Sequence, residues 1–599
     1  MEKNWKLKAN YPGDKSVHNE GIENFKKQVL DHKPNSQLPE LAIKLLFTRG
    51  INDYYKLLKF FRPTIDKLYD PLLMKDCDKA SARIIKSIIG KEKIMVLGDY
   101  DVDGTCGVSM FSLFLNEFGL DSEIYIPDRI NEGYGVSIQA IEHAQNLGIK
   151  LIVSIDCGIT AYEKIEYAKE LGIEFIICDH HQPPEKIPDA LAVMDPLRED
   201  DSYPFKYLCG TGVAFKLIQA VCMELKMLKD DADIEKLKIY SMDLAALPFE
   251  FIDFVAIATA SDIVSLTDEN RILVKEGFNL INTKPRPALK ALIESSGLKP
   301  GKLNTGNIVF TVAPRINAVG RLGDAKRAVE LLTCKDENKV KEFAYILNDE
   351  NQNRRDIDKS ITDDAFRIYE ETIDVENQNS IVIHNDTWHP GVIGIVAARL
   401  VEKYNLPSIV MTTVNGVAKG SARSINSFNI YDALKQCSNH LIQFGGHFHA
   451  AGLELEIEKI EEFKKSFNKV ACQEISDEEL IPEIEADAEI TFDELTPKFL
   501  YILSFFEPYG PDNMTPVFIS KGLQVIGDVR FTVKANTHIF KLKDPVSGKI
   551  FEAVFFNSSE YKGRLLRGLY CDIIYSVEKN IWKDKEYQKL RIRDIKIYN

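Results

Sequence analysis

Carboxylates and imidazoles recur in four short clusters: Asp99-Tyr100-Asp101-Val102-Asp103-Gly104, Asp156-Cys157-Gly158, Asp179-His180-His181 and Ser261-Asp262. Each stands where a predicted β-strand runs out. Side chains delivered by separate strand ends of a parallel sheet converge on one edge, because ligands of open α/β sheets bind beyond the carboxyl ends of the strands. Hard oxygens joined by one or two imidazole nitrogens suit Mg²⁺ or Mn²⁺, and a pair of such ions can clamp the attacking and leaving oxygens of a phosphodiester.

Three aspartates in five residues exceed what capping a helix requires, and their mutual repulsion calls for a cation. Taken alone, Asp101-Val102-Asp103-Gly104-Thr105 also matches the DxDGT signature of haloacid-dehalogenase-type phosphatases, in which the first aspartate is a nucleophile. Asp179-His180-His181 separates the two readings. Adjacent histidines leaving a strand point to opposite faces and are hard to explain by packing, whereas one as a metal ligand and the other as a phosphoryl contact accounts for both. Asp156-Cys157-Gly158 could by itself be any strand-to-helix turn, and Asp262 any helix-terminal carboxylate; their value lies in conjunction.

The elements that must position these groups are legible as alternating apolar and helical runs. From Ile84 to about Leu332, Ile94-Met95-Val96-Leu97, Ile124-Tyr125-Ile126, Leu151 to Ile155, Phe175 to Cys178 and Leu191 to Met194 alternate with helical patterns, which predicts a doubly wound parallel sheet. Residues 336–375 carry no Gly or Pro and read as a long connecting helix. A second α/β unit begins at Ser380-Ile381-Val382-Ile383. Short β-type runs near Val517, Leu523, His538, Phe551, Cys571 and Leu590 predict a small barrel of five or six strands. The expected division is a helical N-terminal cap over 1–75, a catalytic domain over 76–335, the connecting helix over 336–375, a substrate-binding domain over 376–472, an acidic linker over 473–516 and a barrel over 517–599.

The chain has 599 residues, 45% apolar and 28% charged, with a net charge of −15. That charge argues against a wholly basic surface for duplex DNA. It is unevenly spread: Val517 to Asn599 holds 16 Lys/Arg against 9 Asp/Glu, a local balance of +7. Ten cysteines without a CxxC pair read as reduced structural thiols rather than zinc ligands. The N-terminus lacks the apolar stretch of a signal peptide, and no run of about 18 apolar residues follows, so a cytoplasmic location is expected.

With these motifs stand Gly133-Tyr134-Gly135, Pro314-Arg315-Ile316-Asn317-Ala318-Val319-Gly320-Arg321, Trp388-His389-Pro390-Gly391, Gly420-Ser421-Ala422-Arg423-Ser424 and Gly445-Gly446-His447. The whole set resembles the DHH phosphoesterase superfamily and, within it, the bacterial RecJ-type exonucleases, over essentially the whole chain. The resemblance implies two Mn²⁺ or Mg²⁺ ions held by Asp101, Asp103, Asp156, His180 and Asp262, with Asp156 bridging. Asp99 stands where related members carry a histidine at a different spacing, and joins the set as a further candidate ligand. His181 is the candidate for touching the phosphate in the transition state. Arg315 and Arg321 are candidates for neutralising adjacent phosphates, since a guanidinium fork matches phosphate oxygens.

The second α/β unit resembles the DHHA1 domain, which faces the catalytic domain across a cleft. Ser421, Arg423 and His447 are expected to recognise the strand end, beside Asn317. The barrel resembles an oligonucleotide-binding fold, with Phe531, Phe540, Phe555, Phe556, Tyr575, Trp582 and Tyr587 interleaved with basic residues; about half must fill its interior. The implied activity is 5′→3′ exonucleolysis of single-stranded DNA in recombination and repair, by a monomer that meets single-strand-binding protein and a RecQ-type helicase and no membrane. The rival readings are a DHH phosphodiesterase for short oligonucleotides or cyclic dinucleotides, and a single-strand-binding protein with a degenerate catalytic domain.

Overall fold

Five short strands form a parallel sheet: Ile94–Gly98 (β1), Glu123–Tyr125 (β2), Leu151–Ile155 (β3), Glu174–Cys178 (β4) and Ala192–Met194 (β5), in the order β2-β1-β3-β4-β5. Here and below, the computed structural model describes every residue except 1–2, 9–14, 35, 130–131, 229–236, 238–240, 373–377, 583–584 and 599, and the side chains of 15–18 and 580–586 also lie outside the description. β1 and β3 are buried along their whole length because both faces are covered. Val96, Val153 and Ile176 pack under Cys77–Gly90 (α1), Val102–Glu117 (α2), Gly210–Leu225 (α3) and Ile252–Ser261 (α4). Leu97, Ile152 and Phe175 pack on the opposite face, with Ile141 and Ile165. The strand order reverses between β1 and β3, so the crevice at their carboxyl ends is the natural ligand site of such a sheet.

Beyond the sheet, Ala313–Leu322 (α5) packs on the 36-residue helix Glu337–Thr372 (α6). That helix leads to a second sheet built from Ile381–His384 (β6), Ser408–Val414 (β7), Val417–Arg423 (β8), Gln443–His447 (β9) and Ala450–Leu455 (β10), in the order β9-β10-β8-β7-β6. Only β6 and β7 run parallel; the other pairs are antiparallel. Ile393–Tyr404 (α7) packs on β7 and β8. All of this lies in one compact unit, Pro63–Ser476.

Met1–Arg62 and Asp477–Asn599 form the other unit. Within it, Asn4–Leu7 pairs in parallel with Glu483–Ala486, and Phe25, Leu45, Leu46 and Phe60 share a core with Phe499, Phe506, Phe518 and Tyr575. Val517–Thr532 (β11), Thr537–Lys543 (β12), Ile550–Phe556 (β13), Tyr570–Trp582 (β14) and Lys585–Tyr598 (β15) pair as β11-β12-β13-β15-β14, and β14 returns to β11 to close a five-stranded barrel. The runs at Val517 and Leu523, which read as separate strands, are one 16-residue strand. Gly522 and Gly527, at φ of 65° and 67°, sit at its register shifts and let it bend from one partner to the other. Phe540, Phe555 and Tyr575 fill the interior, while Phe556 and Tyr587 are exposed and Phe531 is half-buried. The side chain of Trp582 lies outside the described residues. Among the described residues no helix is long and apolar enough to cross a membrane.

Candidate active site

The cluster at the end of β1 is shaped by the start of α2. Asp101 caps that helix, its Oδ1 accepting from the amides of Asp103 (2.9 Å) and Gly104 (3.2 Å). Gly104 is required by contact: a Cβ there would come within 2.4 Å of the Asp99 carbonyl oxygen. Asp103 turns inward and holds the start of α3, its carboxylate accepting from the amides of Gly210 (2.6 Å) and Thr211 (2.8 Å). Gly210 in turn lets α3 approach the loop after β3, where a Cβ would meet Asp156 Cα at 2.6 Å.

Asp156 follows β3 with φ of 63°, a left-handed conformation that a non-glycine residue adopts at a cost. It is 2% exposed, and its carbonyl accepts from the Tyr134 hydroxyl at 3.0 Å. His180, after β4, places Nε2 3.1 Å from Asp156 Oδ1, 3.4 Å from Asp262 Oδ2 and 3.8 Å from Asp103 Oδ2. Donor atoms of Asp103, His180 and Asp262 fall within 4.8 Å of one another, as do those of Asp156, His180 and His181 and those of Asp99, Asp101 and Asp156. Asp262 ends the helix α4 rather than a strand. The run Phe251 to Ala260 is apolar almost all round, and a buried helix and a buried strand share that signature.

The electrostatics of this cluster fit a cation. Burial, and then the neighbouring carboxylates, push Asp99, Asp101, Asp156 and Asp262 above the usual carboxylate range. Oδ1 of Asp99 and Oδ2 of Asp262 are buried without a hydrogen-bond partner. Burial holds the His180 imidazole below its usual value, in the neutral form a metal needs.

Asp179 belongs to the same motif but does a different job. Its Oδ1 accepts from His181 Nδ1 (2.7 Å) and from the amide of His180 (2.8 Å), and its Oδ2 from the amide of Ile159 (2.9 Å). Burial alone would raise its pKa, yet the hydrogen bond and charge of His181 bring it down to about 2. Conversely, burial alone would lower His181, and Asp179 raises it to about 9. His181 is thereby held as a cation, with Nε2 3.1 Å from the Tyr134 hydroxyl.

Against this cluster opens a cleft of about 690 Å³, lined by Asp99, Tyr100, Asp101, Arg129 and Tyr134 from the first sheet, Asn317 and Arg321 from α5, and Lys419, Ser421, Arg423, Gly446 and His447 from the second. Burial, and then the charges of Arg129, Arg354 and Arg423, bring the Arg321 guanidinium down to about 10. Arg321 donates to the Gly391 carbonyl (3.1 Å), and Arg423 to Ser421 Oγ (3.1 Å). Asn317 Oδ1 is buried without a partner. Burial, and then His449 and Arg423, keep His447 low.

Of the residues singled out in the sequence, the structure gathers Asp99, Asp101, Asp103, Asp156, His180, His181 and Asp262 into one cluster and sets Asn317, Arg321, Ser421, Arg423 and His447 around the cleft beside it. Arg315 lies elsewhere: it donates to Asn348 Oδ1 (3.0 Å) and to the Thr311 carbonyl, and is not among the residues lining the cleft. Sequence reasoning missed Arg129, although it stands just beyond the end of β2, where the strand-end rule would have looked. It also gave Asp179 and Tyr134 no role.

Fold and site together define a phosphoesterase of the DHH type. Residues 93–249 match the DHH family, N-terminal domain, residues 377–472 the DHHA1 domain, and residues 486–594 the RecJ OB domain. The single-stranded-DNA-specific exonuclease RecJ of Bacillus subtilis (strain 168) is 34% identical over 556 residues, covering 92% of this chain and 67% of that protein. Its counterpart in Salmonella typhimurium is 31% identical over 87% of this chain and 90% of its own length. Among solved structures, RecJ of Thermus thermophilus in complex with Mn²⁺ matches the fold with a TM-score of 0.79 at 24% identity, over 99% of this chain and 79% of that one. A manganese-bound exonuclease RecJ matches at 30% identity with a TM-score of 0.56, over 67% of this chain and 95% of that one. The chain belongs to the RecJ family.

Proposed function

We propose that this protein is a metal-dependent exonuclease that degrades single-stranded DNA from its 5′ end to 5′-mononucleotides, and that it serves recombination and repair. The observation that carries the reading is the juxtaposition of a repelling carboxylate cluster with a cleft where Arg129, Arg321 and Arg423 crowd together. Both halves are relieved by one ligand set, divalent cations on one side and phosphates on the other.

Asp101, Asp103, Asp156, His180 and Asp262, with Asp99 beside them, would hold two ions, Mn²⁺ or Mg²⁺, with Asp156 as the ligand they would share. Such ions supply the Lewis acidity that phosphodiester hydrolysis needs at neutral pH. The chain supplies the rest. Asp103 ties the start of α3 to the site, Gly210 leaves room for Asp156 beside that helix start, and the Tyr134 hydroxyl donates to the Asp156 carbonyl. His181, fixed by Asp179, presents a charged N–H to the phosphoryl oxygens as negative charge develops there. Arg129, Arg321, Arg423 and Ser421 would take the 5′-terminal phosphate, with Asn317 and His447 beside the terminal nucleotide. Arg315 would act at one remove, by fixing α5 to α6.

A cleft of this size between two α/β domains holds one strand, which accounts for selectivity without base readout. The barrel would add single-strand affinity through aromatics flanked by cations, such as the exposed Phe556 under Arg591 (5.3 Å) and the half-buried Phe531 under Lys562 (5.6 Å). Single-strand-binding protein and a RecQ-type helicase are the expected partners of a cytoplasmic, monomeric enzyme.

The test is degradation of a single-stranded oligonucleotide with Mn²⁺, labelled at either end, beside a blunt duplex and an Asp156→Ala variant. Early release of a labelled mononucleotide from the 5′ end, absent on duplex and in the variant, is the expected result. Strand binding without cleavage in any divalent metal would overturn the reading.

A further inference from the structure

Arg129, Arg321 and Arg423 line the cleft, and two of them are anchored through their own N–H groups. Arg321 donates to the Gly391 carbonyl (3.1 Å), and Arg423 to Ser421 Oγ (3.1 Å) and the Ala422 carbonyl (2.8 Å). Arg129 is held differently. Among the described residues its guanidinium makes no hydrogen bond or ion pair, and its central carbon stands over the Tyr100 ring, 4.9 Å from the centroid. Tyr100 lines the same cleft.

The ring is itself fixed on other sides. The Tyr100 carbonyl lies against α5, where a Cβ at Gly320 would come within 2.4 Å of its oxygen. The Tyr134 ring meets the Tyr100 ring at 6.4 Å between centroids and 83° between planes, the edge-to-face arrangement that aromatic pairs prefer. Tyr134 is tied in turn to the Asp156 carbonyl by its hydroxyl, at 3.0 Å. Among the described residues the Tyr100 hydroxyl has no hydrogen-bond partner, so the contacts of this side chain are those of its ring.

An aromatic face and a carboxylate hold a guanidinium in different ways. A carboxylate takes the N–H fork and cancels the charge. A ring attracts the cation through its quadrupole and leaves the fork free. Arg129 therefore keeps both its donors and its charge for a ligand, while the ring limits where the side chain can go.

We propose that Tyr100 is a positioning residue whose ring aims Arg129 at the 5′-terminal phosphate. The proposal rests on the exonuclease reading and deepens it. Tyr100 stands between the candidate metal ligands Asp99 and Asp101, so the end phosphate would be set in register with the same strand end that carries those carboxylates. A strand without that phosphate would lose the register.

The experiment grades the ring at constant shape. Tyr100→Phe and phenylalanines carrying one, two or three ring fluorines at the same position are compared with Tyr100→Leu, Arg129→Ala and the double variant. Affinity for 5′-phosphorylated and 5′-hydroxyl strands is read by fluorescence anisotropy in EDTA, KM on both strands with Mn²⁺, and Mn²⁺ affinity by calorimetry. Tyr100→Phe should keep the preference for the phosphorylated end. Each added fluorine weakens the quadrupole and should lower that preference stepwise. Tyr100→Leu should lower it about fivefold, the equivalent of ~1 kcal/mol, and should cost nothing more in the Arg129→Ala background. Binding of 5′-hydroxyl strands and of Mn²⁺ should stay unchanged. The proposal is overturned if the wild type shows no preference, if the preference is flat across the fluorine series, or if the losses from Tyr100→Leu and Arg129→Ala multiply. Equal weakening on both strands would put the ring under the terminal base instead, and a parallel fall in Mn²⁺ affinity would make it a support of the carboxylates; either also overturns it. A wild type that binds strands but cleaves none would sink the exonuclease reading, and the anisotropy series would still decide the role of the ring.

Discussion

Asp179 Oδ1 and His181 Nδ1 lie 2.7 Å apart, and the carboxylate that makes this contact also accepts the backbone amides of His180 and Ile159. The first residue of the motif is thus an orienting group: it holds one imidazole as a cation while its neighbour, His180, stays neutral and faces the carboxylates. Asp179→Asn keeps the shape and removes the charge. The expected outcome is a fall in kcat of about 10- to 100-fold with Mn²⁺ affinity little changed, read by steady-state kinetics and calorimetric titration.

The carboxylate cluster makes the metal-free protein pH-sensitive. Asp99, Asp101, Asp156 and Asp262 have folded-state pKa values raised above their unfolded values. The native state therefore binds more protons than the unfolded chain, and stability is lost as pH rises through those raised values. Metal removes the penalty by replacing the protons. Thermal melts in EDTA should show Tm of the catalytic unit falling as pH rises above the ordinary carboxylate range, and the increment on adding Mn²⁺ should grow in the same direction. An increment independent of pH would mean these carboxylates do not take the ion.

Gly210 is a steric requirement of the site. A methyl group there would meet Asp156 Cα at 2.6 Å and displace the amides that hold Asp103. Gly210→Ala should cost about 1–3 kcal/mol in denaturant unfolding and weaken Mn²⁺ binding as well. Loss of stability alone, with metal affinity intact, would separate α3 from the site.

End recognition should follow the guanidiniums. Arg423→Ala and Arg129→Ala each remove a charge-assisted contact worth roughly 1.5–3 kcal/mol. Each should raise KM for a 5′-phosphorylated strand by about one to two orders of magnitude, with a much smaller effect on a 5′-hydroxyl strand. Equal effects on both substrates would place the arginines on internal phosphates instead. Arg315→Ala, which removes the contacts to Asn348 and Thr311, should lower Tm without discriminating between the two ends.

Much of this was legible in the residues themselves. The strands before Asp99 and Asp156 are short continuous apolar runs that stop at acidic residues and alternate with helical patterns, and that length and alternation point to a covered parallel sheet. Three carboxylates between Asp99 and Asp103 announce a cation because local spacing alone brings like charges together. The linear chain could not say which arginine faces the phosphate: Arg315 and Arg321 differ by less than two helical turns, and only the packing of α5 on α6 turns one to Asn348 and the other to the cleft. Nor could it decide whether Asp262 ends a strand or a helix, or say that Asp179 orients rather than ligates, that Arg129 joins Arg423, or that β11 bends between two partners. Local order follows from periodicity and propensity, which are written in neighbouring residues. The roles of individual polar groups are set by contacts between residues far apart along the chain, and those exist only once the chain has packed.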